Sequence, residues 1–260
     1  MAFAELLQPL LVYAFGLPRM IAVFAMLPIF NPTVLPGRIR TAFAGSLVLF
    51  LYPVYSNGVV LDDFTGLELG VILIKEVVIG LLIGFGVSIV FWAVEAAGFF
   101  IDNQRGSTMA SSVDPLTGSQ TSPLGIFLMQ VITVFFMVGG GFFVMLMAVY
   151  ESYVLLPVFQ FVPNLNPEGA RYFISILDRI MALAVVLAAP ALIAMFLAEL
   201  GLGFVSRFAP QLNVFFLSMP VKSAVGIFIL LLYIGLLQEI WNDEFATLPT
   251  HISLLGSLLQ

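Results

Sequence analysis

Few residues in this sequence can carry chemistry. Glu95, Asp102 and Arg105 stand at offsets that place them on one face if a helix runs that far. Such a stripe faces an aqueous path or a partner, or it marks a helix end leaving lipid with Asp102 and Arg105 as a weak i,i+3 pair. Glu95 lies deeper, and a central acid costs about 2.5–3.5 kcal/mol on insertion scales, so it is expected to be buried against protein. Lys75-Glu76 and Asp178-Arg179 are adjacent opposite charges near helix ends. Neighbours on a helix do not face each other, so each is expected to find a partner elsewhere or to snorkel; a proton relay is the other reading. Glu199, Arg207 and Lys222 are candidates for assembly or buried polar roles. The chain has no Cys, so thiolate chemistry and disulfides are excluded, and its one His, His251, lies in the C-terminal tail, so no His-based metal centre or Ser-His-Asp triad is expected within the membrane. No cofactor, metal or enzymatic activity is expected.

The elements holding these residues are set by composition. Of 260 residues 61% are hydrophobic and 9% charged, against about 25% charged in soluble proteins. Mean hydropathy is +1.13. So few charges cannot cover a water-facing surface, and an all-α integral membrane protein is expected, forming a single domain over 1–260. The net charge of −6 argues against nucleic acid as a partner, and no polybasic patch is present to hold anionic lipid.

About six apolar segments, near 10–30, 41–61, 71–101, 124–150, 174–200 and 221–240, predict tilted, partly broken helical hairpins. The first lacks the basic start of a cleavable signal and is read as a retained helix, bent or broken by Pro18 and Pro28. Gly139-Gly140-Gly141 is a soft point in the fourth. Gly80, Gly84 and Ser88 form a small-residue ridge that lets helices approach, within the chain or between subunits. The basic residues Arg38, Arg40, Arg105, Arg207 and Lys222 fall on odd-numbered loops, with Arg171 on the fourth as the exception, and by the positive-inside rule this puts the odd loops in the cytoplasm and both termini outside. Residues 199–222 mix helix breakers with Phe204, Phe208, Phe215 and Phe216, and read as buried re-entrant structure or a subunit interface.

Between the third and fourth segments lies DNQRGSTMASSVDPLTGSQTSP, from Asp102 to Pro123, with eight Ser or Thr residues, two Gly and two Pro. Irregular backbone at membrane depth survives only where protein or water satisfies it. The segment is a surface loop, or it lines or blocks an aqueous path. Met109 sits amid this polar segment.

The stretch EAAGFFIDNQRGSTMASSVDPLTGSQTSPLG closely resembles the central motif of the SctT/FliR export-gate proteins of type III secretion systems. Two more blocks agree in order and spacing, LPRMIAVFAMLPIFNPTVLPGRIR and LAELGLGFVSRFAPQLNVFFLSMPVKSAVG, so the likeness covers nearly the whole chain. The wording of the central block resembles the virulence (injectisome) branch more than the flagellar one. The resemblance implies a multi-pass subunit in the bacterial inner membrane at the base of the secretion machine. It implies assembly with SctR-like and SctS-like proteins (FliP and FliQ homologues), a nearby SctU-like switch protein, and passage of unfolded polypeptides. It also implies a polar central loop that shuts the pore at rest. That plug or gate maps onto Asp102, Gln104, Arg105, Gly106, Met109, Asp114, Pro115, Gly118, Gln120 and Pro123. The rival reading is a stand-alone proton-coupled secondary transporter with Glu95, Asp178 and Glu199 as coupling sites.

Overall fold

A computed structural model describes residues 2–31, 35–56, 61, 64–107, 122–160, 167–209, 211 and 213–258. Every regular element among them is helical: α1 (Ala2–Met26), a 3-10 turn (Pro28–Phe30), α2 (Gly37–Tyr55), α3 (Gly66–Gln104), α4 (Pro123–Val138), α5 (Gly141–Leu155), α6 (Pro167–Phe208) and α7 (Val214–Leu258). This is an all-α membrane protein. Among the described residues four helices are long and apolar enough to cross a membrane, or five spans result if α4 and α5 count as one broken span. Six apolar segments were expected. The second, α2, is absent from that set: its 19 residues open with Arg38 and Arg40 and carry Thr41 and Ser46.

Breakers act more locally than the sequence suggests. Pro18 lies inside an unbroken α1 and Pro190 inside an unbroken α6; the first chain break falls at Leu27, before Pro28. A proline deletes one i→i−4 bond, and a helix with packed flanks survives that loss. Gly139 and Gly140 do stop a helix, with Gly140 at φ +81° in the left-handed region that favours glycine. The breakers of 199–222 interrupt helix only between Phe208 and Val214. Residues 199–208 complete α6 and 214–222 begin α7. Phe204, Phe208, Phe215 and Phe216 are all exposed on the chain. At 1.5 Å per residue, the 42 residues of α6 extend about 63 Å, twice the hydrocarbon core, so much of this helix must lie outside lipid or tilt steeply.

The chain divides into two compact units: residues 1–89, 140–176 and 245–260, and residues 90–139 and 177–244. In the first unit, Met20, Val23 and Phe24 bury one face of α1 at helical spacing, and Leu27 just past its end is buried too. The Gly80–Gly84–Ser88 ridge of α3 lies against α1. A Cβ at Gly80 would collide with the Arg19 carbonyl, and one at Gly84 would come 3.0 Å from Val23 Cα. Ser88 Oγ closes the ridge, 2.8 Å from the Met26 carbonyl. Beside it Phe24 stacks on Phe30 with ring centroids 4.2 Å apart, and Phe43 stacks on Phe142 at 6.3 Å.

In the second unit, Leu124, Leu128, Ile132 and Phe136 repeat every four residues and bury one stripe of α4. Phe91 of α3 meets Phe136 edge-on at 5.2 Å. Gly98 and Gly125 bring α3 and α4 together so closely that a Cβ on Gly98 would overlap Gly125 Cα. Ala184, Ala188, Ala191 and Met195 bury a narrow seam of α6, with Met195 seated on Gly226 of α7.

Candidate functional site: the stem of the polar segment

The described ends of the polar segment, 102–107 and 122–125, lie in the second unit and meet at one carboxylate. Asp102 sits in the last turn of α3, where the helix dipole disfavours an acid. Its oxygens look elsewhere. Oδ2 accepts from Ser122 Oγ at 2.6 Å and from the Leu124 N–H at 2.9 Å, at the favourable N-terminus of α4. Oδ1 lies 2.6 Å from Arg105 Nη2. The Asp102 side chain is 2% exposed and that of Arg105 18%, so little water competes for the carboxylate. Ser122 is the N-cap of α4 and accepts from the Gly125 N–H at 2.9 Å; Pro123 follows at the first helical position, where its missing N–H is no loss. On the α3 side, Ser107 Oγ donates to the Asp102 carbonyl at 2.9 Å, and Gly106 turns at φ +85°. These bonds join two segments separated by some twenty residues into one stem.

The stem rests on α6 and α7. Met219 lies beneath Gly106, 3.4 Å from where a Cβ would stand. Gln104 Nε2 is 3.5 Å from Glu199 Oε2, and Lys222 Nζ is 3.3 Å from Glu199 Oε1. Here the bonds are long, and the Glu199 side chain is 43% exposed.

The sequence candidates therefore separate. Asp102, Gln104, Arg105, Gly106, Glu199 and Lys222 gather at the stem. Pro123 is exposed at the start of α4, and Arg207 is exposed far along α6. Glu95 is exposed on the chain rather than buried, while Asp102 on the same helix is buried. The proposed common stripe of Glu95, Asp102 and Arg105 therefore has no common environment. Met109, Asp114, Pro115, Gly118 and Gln120 lie outside the described residues. Gly80 and Gly84 belong to the helix ridge of the first unit.

Sequence reasoning missed a second polar centre, in the first unit. Arg19 is completely buried, and its five N–H groups meet five acceptors. Nε and Nη2 form a fork on Glu76 at 2.8 Å each. Nη1 donates to the Ser152 carbonyl at 2.6 Å and to Ser152 Oγ at 3.1 Å, and Nη2 donates to the Leu156 carbonyl at 2.7 Å. The guanidinium also lies 4.2 Å from the ring centre of Tyr153, whose hydroxyl donates to the Gly16 carbonyl at 2.6 Å. Lys75 Nζ reaches the carbonyls of Pro157, Val158 and Gln160 at 2.7–2.9 Å. It also approaches its neighbour Glu76 at 3.2 Å, so adjacent charges do touch here, the flexible lysine stem bending to do so. The other adjacent pair behaves as expected: Arg179 leaves Asp178 and forks onto Glu244 at 2.7 and 3.0 Å. Among the described residues no group of three or more His, Asp or Glu could hold a metal ion.

Residues 10–248 match the family of bacterial export proteins, family 1. The chain is 43% identical to the Yop proteins translocation protein T of Yersinia pestis, over 99% of both chains. It is 34% identical to the surface presentation of antigens protein SpaR of Salmonella typhimurium, over 85% of this chain and 81% of that one. It is also 30% identical to the flagellar biosynthetic protein FliR of Bacillus subtilis, over 92% of each. Nothing in these likenesses favours a solute transporter. The chain belongs to the bacterial export proteins, family 1, the SctT/FliR family that its central motif resembles.

Proposed function

We propose that this protein is a multi-pass subunit of the export apparatus of a type III secretion system. It helps form and gate the inner-membrane portal through which unfolded polypeptides leave the cell. The observation that carries the reading is end-to-end identity of 43% with a Yop translocation protein. The lower identity with the flagellar relative, 30%, favours the virulence branch. The SctR-like, SctS-like and SctU-like proteins are its partners. Exposed phenylalanines at the α6–α7 turn, costly in water, suit a surface covered in an assembly.

The polar segment 102–123 acts as the gate. Its hydroxyls bond water and backbone without gripping any one sequence, which suits a conduit that must release what it passes. Gating needs two arrangements close in free energy, because an opener shifts them only by its differential affinity. With no Cys and one His, the subunit's work is positioning and sealing rather than covalent chemistry. The Cys-free chain allows a direct test. Single cysteines placed along 106–120 should cross-link to an exported protein stalled in the assembled apparatus. Cross-links only to the SctR-like partner would move the lining of the path to another subunit.

A further inference from the structure

The bonds of the stem are unequal, and the inequality assigns a role to one residue. Within the stem, Asp102 holds Ser122 and Leu124 at 2.6 and 2.9 Å, almost without water. Between the stem and α6 the described hydrogen bond, Gln104 to Glu199, is 3.5 Å long, and Glu199 is 43% exposed and shared with Lys222 of α7 at 3.3 Å, with a flexible methionine under Gly106. Buried charge-assisted bonds resist opening, while long contacts beside water exchange partners readily. We infer that Asp102 is a positioning residue for export: it welds the two ends of the polar segment into one rigid stem, which shifts as a unit on α6–α7. This rests on the reading of the polar segment as the gate.

The two oxygens of Asp102 separate the parts of this role. Oδ2 alone receives Ser122 and Leu124, whereas Oδ1 faces Arg105. Asp102→Asn, with its amide oxygen at the Oδ2 position, keeps both accepted bonds and turns an NH2 towards the Arg105 cation. Asp102→Ala loses all three partners. A residue that only supports folding would not divide its effects in this way.

The test uses the assembled apparatus in membranes, with two readouts normalised to assembled complex. One is amide hydrogen exchange at Leu124; the other is ion leak across non-secreting membranes. In Asp102→Ala, exchange at Leu124 should quicken at least tenfold, with a leak close to that of a 106–120 deletion. In Asp102→Asn, exchange should stay near the wild-type rate, with a smaller leak. Wild-type exchange in Asp102→Ala overturns the weld. Fast exchange in a tight membrane overturns the positioning role, provided that the deletion leaks. If the deletion itself is tight, the gate reading fails, and Leu124 exchange still judges the weld by itself. Should Asp102→Ala not assemble, Asp102→Asn decides: a leak above wild type supports the inference, and a wild-type leak overturns it.

Discussion

Arg19 and Glu199 each meet an opposite charge, yet their surroundings differ in every respect that governs whether a polar contact can open. Arg19 has every donor satisfied, three of its contacts are to backbone or hydroxyl oxygens, and no surface reaches water. It ties α1 to α3 and to the chain leaving α5. Glu199 has one lysine at 3.3 Å and one amide at 3.5 Å, and its side chain is 43% exposed. A saturated buried network has one low-energy arrangement, because any other strands a donor away from water. A half-solvated pair has several arrangements of similar energy. The first unit is thus held fixed by its polar residues, and the second carries polar residues at a contact that can move.

The contrast is broken most readily at the buried end. Arg19→Ala or Glu76→Ala leaves an uncompensated charge in the interior and should cost about 3–5 kcal/mol. Thermal melting and protease resistance of the membrane-extracted protein would show it. Next comes Gly80→Ala, whose added Cβ meets backbone rather than a movable side chain, at about 1–3 kcal/mol. Ser122→Ala removes a helix cap and should cost about 1 kcal/mol, seen as faster amide exchange at Gly125. Smallest is Glu199→Gln, at about 1 kcal/mol or less in melting, while export changes. Equal losses of stability in Arg19→Ala and Glu199→Gln would erase the distinction between the two regions.

How far the sequence could reach follows from the range of each interaction. The Gly80–Gly84 ridge and the soft point at Gly139–Gly140 are local patterns with local causes, and both are found where their spacing puts them. The Arg19 centre is built from residues 57, 133 and 137 positions away, so no window around Arg19 announces it. Its sign in the sequence was only a bare arginine inside an oily helix, which must find acceptors somewhere. Within residues 199–222 the sequence counts Gly201 and Gly203 as helix breakers, yet both sit inside a continuous α6, because a glycine in a helix costs only about 1 kcal/mol. Glu95 was expected to be buried because lipid penalises acids. Its exposure on a single chain leaves that penalty to be met by water or a partner.

Ion leak through the apparatus carrying a 106–120 deletion tests the central claim most directly. The gate account predicts normal assembly with a membrane that leaks ions at rest. Assembled complexes that lack these residues and still hold the membrane tight would contradict it.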